Sequence, residues 1–211
     1  LLEQERPNLP WTPVEAVPFR DEFNLDSLAL KWHTVRTPKE KWYSLDKGLL
    51  TLKLRPQVVD SLVNSSMLIQ RTAHLQFSAS TKLNFKTSKD NEQAGLIIYR
   101  TNESYFMLMK EKARIVLIRK FNGKKEIVAE APYTKPEVFF NVKANQLDLQ
   151  FSFGETLGQL KSIGEMQSLV VISESTVNKF NGTGIGVYAS SNCQPSKTKA
   201  SFDWLDRKST R

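Results

Sequence analysis

The chain has 211 residues, 40% of them hydrophobic and 25% charged, a composition typical of a folded globular protein and not of a disordered one. No run of 18 apolar residues occurs, so the sequence predicts no membrane-spanning helix and no membrane partner. Cys193 is the single cysteine, which excludes a disulfide within the chain and argues against a cysteine-based zinc site.

The net charge is +8 and the isoelectric point is about 9.5. Such a balance is typical of proteins that bind nucleic acid, anionic membranes or acidic polysaccharides. The lysines are scattered over alternate strand positions and turns, which favours a solvated surface with charged sheet edges. We therefore predict no nucleic-acid partner and keep an acidic partner as the alternative.

The first 18 residues differ in composition from the rest of the chain. They contain four prolines, Pro7, Pro10, Pro13 and Pro18. Proline favours extended conformations and cannot donate to a sheet or helix, so residues 1–18 read as a semi-rigid linker that wraps onto the domain and follows another domain. The sequence thus predicts a linker at 1–18, a β-sandwich at 19–206 and a tail at 207–211.

From residue 19 onward, apolar and polar residues alternate with the period of a β-strand. The longest case runs from Leu75 to Phe85 and a second from Leu147 to Phe153. Further strands are predicted at 19–23, 31–36, 41–45, 49–54, 67–71, 93–101, 104–110, 113–120, 124–131, 137–144, 183–190 and 199–206. Asn122-Gly123 is a strong hairpin signal, and one helical turn is the alternative at 173–177. The fold class is all-β, a two-sheet antiparallel sandwich or jelly roll.

A catalytic set is not evident in the sequence. His33 and His74 are the only histidines, each in or beside a strand, and neither the H-E-x-x-H nor the G-x-S-x-G motif occurs. Asn64, Asn102 and Asn181 occupy Asn-x-Ser/Thr triplets, which also arise by chance.

Asp21 and Asp203 are the candidate metal ligands. Each lies beside aromatic residues in a terminal strand, and the two acids meet if the first and last strands pair. Calcium takes hard oxygen ligands and would relieve the repulsion, so a structural calcium ion is the one cofactor predicted. The alternative is an exposed acid or a hydrogen bond to a loop.

Three aromatic residues are candidates for sugar stacking, namely Trp42, Tyr99 and Tyr105. Sugar rings have apolar faces that stack on exposed aromatic rings. The alternative for each residue is a place in the core, where most aromatic residues of a sandwich lie.

Several motifs occur in an order that resembles one family. They are Phe19-x-Asp21-x-Phe23, Leu30-x-Trp32, Trp42-x-x-Leu45, Gly48-x-Leu50-x-Leu52-x-Leu54, Leu68-Ile69-Gln70-Arg71, Gln93-Ala94-Gly95-Leu96-Ile97-Ile98-Tyr99, Gly182-x-Gly184-x-Gly186-Val187-Tyr188-Ala189 and Ala200-Ser201-Phe202-Asp203-Trp204. Together they resemble the C-terminal concanavalin A-like domain of glycoside hydrolase family 43 β-xylosidases and α-arabinofuranosidases. The resemblance covers residues 17–206.

The resemblance implies a jelly roll packed against an upstream five-bladed β-propeller that carries the catalytic acids. It also implies a loop at about residues 56–67 that borders the substrate pocket. Family members often place an aromatic residue there, whereas this chain offers Leu62 or Val63 as an apolar rim. Some members hold calcium in the sandwich.

Three hypotheses follow from the sequence. The first is a non-catalytic accessory domain of a xylan- or arabinan-processing glycosidase, partnered by the propeller. The second is a self-standing module that binds an oligo- or polysaccharide of the xylan or arabinan type. The third is an independent enzyme or a binder of an acidic partner. A periplasmic or extracellular location is favoured if the protein takes part in polysaccharide degradation by a bacterium.

Overall fold

The computed structural model describes residues 8, 19–173 and 181–210. Apart from Asn8, the predicted linker at 1–18 lies outside the described residues. So does most of the predicted helical turn at 173–177, of which Ser173 alone is described. Among the described residues, no helix has the length and apolar character that a membrane crossing requires.

The described residues form a sandwich of two antiparallel sheets, which confirms the predicted fold class. The nine-stranded sheet contains β1 (Phe19–Asp21), β3 (Tyr43–Asp46), β4 (Leu49–Lys53), β6 (Gln76–Asn84), β11 (Glu137–Asn145), β12 (Asp148–Gly154), β13 (Lys161–Ser162), β14 (Gln167–Ser168) and β16 (Lys199–Thr210). Its hydrogen-bonded order is β13-β12-β11-β6-β16-β4-β3, with β1 paired to β16 and β14 paired to β12.

The second sheet has seven strands. They are β2 (His33–Thr34), β5 (Ser66–Arg71), β7 (Gln93–Thr101), β8 (Ser104–Lys110), β9 (Arg114–Phe121), β10 (Lys124–Pro132) and β15 (Gly184–Ser190). Their order is β10-β9-β8-β7-β15-β5-β2. Two short 3-10 helices, Leu157–Gln159 and Leu169–Ile172, and the two-residue strands β13 and β14 were not predicted, because they are too short to show a period.

Alternation places one face of each long strand in the core between the sheets. In β6, Phe77, Ala79, Thr81 and Leu83 are buried, whereas the residues between them are more exposed. Leu75 precedes this strand and is exposed. The core therefore takes its residues at period two, as the sequence predicts.

Strand β7 behaves differently, because both of its faces are buried. Leu96 and Ile98 belong to the core between the sheets, and Ile97 and Tyr99 belong to a second cluster on the outer face of the seven-stranded sheet. A strand buried on both faces reads as a continuous apolar run. The seven-stranded sheet therefore has an apolar outer face that is itself covered.

Tight turns of the kind favoured by right-handed sheet twist join several neighbouring strands. Asn122 and Gly123, between β9 and β10, have φ angles of 48° and 80°. Lys47 and Gly48, between β3 and β4, have φ angles of 52° and 72°. Two successive positive φ angles define the type I′ hairpin turn, so the turn predicted at Asn122-Gly123 is confirmed.

The first and last strands pair, with Asp21 opposite Leu205. Strand β16 continues to Thr210, so residues 207–210 belong to the sheet and are not the predicted tail. The register of β16 against β6 shifts between Phe202 and Trp204, which leaves Asp203 as a bulge.

Candidate functional site

The loop of residues 54–65, between β4 and β5, lies across the outer face of the seven-stranded sheet. It overlaps the predicted 56–67 loop, whose last two residues belong to β5. Val59 is buried in the outer cluster, and its backbone N–H donates to the Tyr188 hydroxyl at 3.1 Å. At the tip, 72% of Leu62 and 48% of Val63 remain exposed. The loop therefore buries one apolar side chain and displays two.

The Asn64 side chain fixes one end of this loop. Its amide nitrogen donates to the carbonyls of Val35 and Arg36, both at 3.0 Å. Its amide oxygen accepts from the Trp42 indole at 2.7 Å and from the Arg55 guanidinium at 3.2 Å. One amide thus uses both its donor and its acceptor side to tie the 54–65 loop to two other segments, at 35–36 and at Trp42, and to Arg55 within the loop itself.

The Arg55 guanidinium makes a second set of contacts. It donates to the Ser66 hydroxyl at 3.1 Å and to the Asn64 carbonyl at 2.7 Å, and it pairs with Glu40 at 2.9 Å. The Arg55 carbonyl accepts from the Ser190 hydroxyl at 3.2 Å. Because the guanidinium is planar and donates in fixed directions, these contacts hold the chain on both sides of the tip.

Asp60 anchors the middle of the loop to the sheet. One carboxylate oxygen accepts from the Tyr105 hydroxyl and from Lys120, both at 2.8 Å, and the other accepts from Lys125 at 3.2 Å. Burial pushes the pKa of Asp60 upward, but the hydrogen bonds from Lys120 and Tyr105 and the charge of Lys125 outweigh it, so the pKa is lowered. Burial and the hydrogen bond to Asp60 raise the pKa of Tyr105.

The structure corrects the stacking role predicted for the three aromatic residues. Trp42 and Tyr105 are completely buried, and Tyr99 is 7% exposed. The Trp42 indole donates a hydrogen bond to Asn64, and the Arg55 guanidinium carbon lies 5.5 Å from the centroid of the Trp42 ring. Trp42 belongs to the core between the sheets, whereas Tyr99 and Tyr105 belong to the covered outer cluster, so none of the three rings presents a face to a sugar.

The metal prediction for Asp21 and Asp203 does not fit the contacts of either acid. Asp21 accepts from the Trp32 indole at 2.7 Å and from the Phe23 N–H at 2.9 Å. Asp203 forms an ion pair with Lys82 at 2.7 Å. The two acids therefore bind different partners. They do not meet in the sheet, because the residue opposite Asp21 is Leu205 and not Asp203. Among the described residues, no three His, Cys, Asp or Glu side chains cluster as metal ligands.

A cleft of about 660 Å³ opens at one end of the seven-stranded sheet, beside the 54–65 loop. We call it the arginine cleft, and its polar lining includes Arg36, Arg71, Tyr99, Arg100, Asn102, Glu103, Ser104 and Asn122. Arg36 links it to the loop by donating to the Ser61 carbonyl at 3.4 Å. Burial raises the pKa of the Tyr99 hydroxyl, and the neighbouring Arg36 opposes that rise.

Sequence reasoning found the loop and its displayed tip but missed the side chains that hold it. Asn64 was noticed only as part of an Asn-x-Ser/Thr triplet, and Arg55 and Asp60 were not singled out. Their partners, such as Tyr105 and Lys120, are distant in sequence, so no local pattern connects them. The one local signal for these contacts was the occurrence of Arg55, Asp60 and Asn64 within the short irregular stretch between β4 and β5.

The two antiparallel sheets and their strand order define a concanavalin A-like sandwich. The family model for the β-xylosidase C-terminal concanavalin A-like domain matches residues 20–208. The chain belongs to this family, which confirms the resemblance drawn from its motifs.

Curated relatives and solved structures agree with this membership. A non-reducing end α-L-arabinofuranosidase of Bacteroides ovatus is 30% identical over 208 residues, 95% of this chain and 39% of the relative. A xylosidase/arabinosidase of Butyrivibrio fibrisolvens is 28% identical over 180 residues, 79% of this chain and 33% of the relative. The chain thus spans about two fifths or less of the length of these two relatives.

The structures extend the match to almost the whole fold. The Bacteroides ovatus xyloglucan-locus GH43B structure has a TM-score of 0.86 at 26% identity. The match covers 97% of this chain and 42% of the GH43B chain. A xylan β-1,4-xylosidase from Bacillus halodurans has a TM-score of 0.85 at 24% identity. The match covers 99% of this chain and 42% of the xylosidase chain.

Proposed function

We propose that this chain is the non-catalytic accessory sandwich of a family 43 glycosidase of the β-xylosidase or α-arabinofuranosidase type. In this proposal it packs against an upstream catalytic propeller and stabilises it. The 54–65 loop places Leu62 and Val63 at the rim of the substrate pocket. The observation that carries the proposal is the exposed apolar tip on a loop that polar side chains hold in place.

The energetics of the tip support this role. Leu62 and Val63 stay exposed although Arg55, Asp60 and Asn64 fix the loop around them. Displayed apolar side chains on a fixed backbone lose little further entropy when they meet a partner or a sugar face. A flexible loop with the same tip would have to be ordered first.

The lining of the arginine cleft also supports an accessory role over an independent glycosidase. Hydrolysis of glycosides typically needs two carboxylates on opposite sides of the scissile bond. Of the described residues that line this cleft, Glu103 is the one carboxylate. It is engaged with Lys120 at 3.7 Å and with the Asn102 amide at 2.9 Å.

The test compares two proteins with aryl β-xylosides and aryl α-L-arabinofuranosides. The first is this 211-residue chain alone, and the second is the chain fused behind the catalytic part of the Bacteroides ovatus relative in place of the relative's own C-terminal part. We expect no hydrolysis by the first and turnover by the second. Hydrolysis by the chain alone would contradict the proposal.

A further inference from the structure

Two arginines of the cleft lining, Arg36 and Arg71, lack a carboxylate partner among the described residues. The nearest acid in the lining, Glu103, already accepts from Asn102 and approaches Lys120. Two guanidinium groups therefore face a cleft of about 660 Å³, a volume typical of small-ligand sites.

The position of Arg71 depends on the backbone beneath it. Its guanidinium lies directly over Gly182, where an added Cβ atom would be 2.0 Å from Nη1. The glycine thus leaves the space that this guanidinium occupies beside the cleft. The side chain therefore packs against the Gly182 backbone, and the residue as a whole remains exposed.

Arg36 is oriented from the other side. Its backbone has a φ angle of 65°, in the left-handed region that non-glycine residues rarely adopt. The Asn64 amide holds this conformation by donating to the Val35 and Arg36 carbonyls. The Arg36 guanidinium donates to the Ser61 carbonyl at 3.4 Å, and Arg36 lines the cleft together with Tyr99. Each guanidinium thus has one contact beside the cleft, Arg71 with Gly182 and Arg36 with the Ser61 carbonyl, while both residues remain exposed.

We infer that the arginine cleft binds a uronic acid residue of an acidic glycan. Guanidinium groups bind carboxylates through paired, charge-assisted hydrogen bonds, which fits the two arginines. The remaining lining offers the neutral hydroxyl and amide groups of Tyr99, Ser104, Asn102 and Asn122, which match the hydroxyls of a pyranose ring. The glycan part of this inference rests on the proposed function, while the carboxylate part rests on the arginines alone.

Calorimetric titration of the 211-residue chain tests this inference without any catalytic domain. The ligands are methyl β-D-glucuronide and methyl β-D-glucoside, which differ only in the carboxylate, with sodium acetate as the carboxylate that lacks a sugar. We expect the glucuronide to bind at least about tenfold more tightly than either comparator, because hydrogen bonds to a charged group contribute at least that much. Added salt should weaken the binding.

Variants separate a built site from general positive charge. Arg71→Gln and Arg36→Gln should each weaken glucuronide binding about tenfold or more, and Arg71→Lys should restore part of the loss, because it keeps the charge but not the paired donors. Lys143→Gln is the matched control, since it removes one charge from an exposed position of the nine-stranded sheet. It should leave binding unchanged. Circular dichroism checks that each variant is folded.

Four results would overturn the inference. They are undetectable glucuronide binding, equal binding of the glucoside, equal binding of acetate, and an equal loss in Lys143→Gln and Arg71→Gln. None of them bears on hydrolysis by the fused protein, so this inference and the proposed function can fail separately.

Discussion

The core between the sheets and the 54–65 loop are both ordered, but different forces hold them. Core positions such as Phe202 and Phe140 are completely buried and take their places from strand register. The loop has no regular structure and depends on single polar contacts with distant residues, such as the one between Val59 and Tyr188, which are 129 positions apart. The core can thus absorb small changes in many places, whereas the loop depends on three or four side chains.

The largest expected effect comes from the core. Phe202→Ala removes a completely buried ring and leaves a cavity, which should cost about 3–5 kcal/mol of unfolding free energy. Urea unfolding followed by tryptophan fluorescence measures the loss. Hydrogen exchange should accelerate in every strand by a similar factor, because the change acts on global stability. Faster exchange confined to the strands beside Phe202 would contradict this view of the core.

A smaller and more local effect is expected from the loop. Asn64→Ala leaves the Trp42 indole and the Val35 and Arg36 carbonyls without their partner, which should cost about 2 kcal/mol. Amides at 55–64 should exchange faster by a larger factor than those of β6 or β11. Asn102→Ala is the matched control, since it loses one exposed contact with Glu103. Equal effects of the two variants would show that Asn64 does not hold the loop.

Acid should loosen the loop through Asp60. Since the pKa of Asp60 is lowered in the folded state, its contribution is fully present above its unfolded value of about 3.9 and is lost as the pH falls through the folded value. The stability difference between wild type and Asp60→Asn should therefore be constant from about pH 5 to 7 and should close below about pH 4. Urea unfolding at each pH measures it, and a gap that widens in acid would contradict the assignment.

Much of the sandwich could be predicted from the sequence, because burial on one face of a strand leaves a period of two. Strands β6 and β12 are examples, and the Asn122-Gly123 dipeptide marked the turn between β9 and β10. The predicted tail was wrong for residues 207–210, which continue strand β16. The buried positions there hold the polar residues Arg207 and Ser209, so apolar and polar residues do not alternate in the sequence.

The candidate site was less predictable, for two physical reasons. Both faces of β7 and β8 are covered, so Tyr99 and Tyr105 resembled solvent-facing aromatic residues when they are part of an outer cluster. The contacts of Asn64 and Asp60 join segments that are distant in sequence, and a single amino-acid sequence does not indicate which distant residues form such contacts. Leu62 and Val63 could be located because they lie between two clear strands.

The tip of the 54–65 loop in the fused enzyme offers the most direct test of the proposed pocket rim. Leu62→Ser and Val63→Ser change exposed side chains, so the unfolding free energy should shift by less than about 0.5 kcal/mol. If these residues border the substrate pocket, KM for aryl arabinofuranosides and xylosides should rise severalfold while kcat and Tm stay near wild type. Leu157→Ser, at a leucine whose 46% exposure is close to the 48% of Val63, should change neither KM nor kcat. Unchanged KM in both tip variants would contradict the central claim that this loop forms part of the pocket rim.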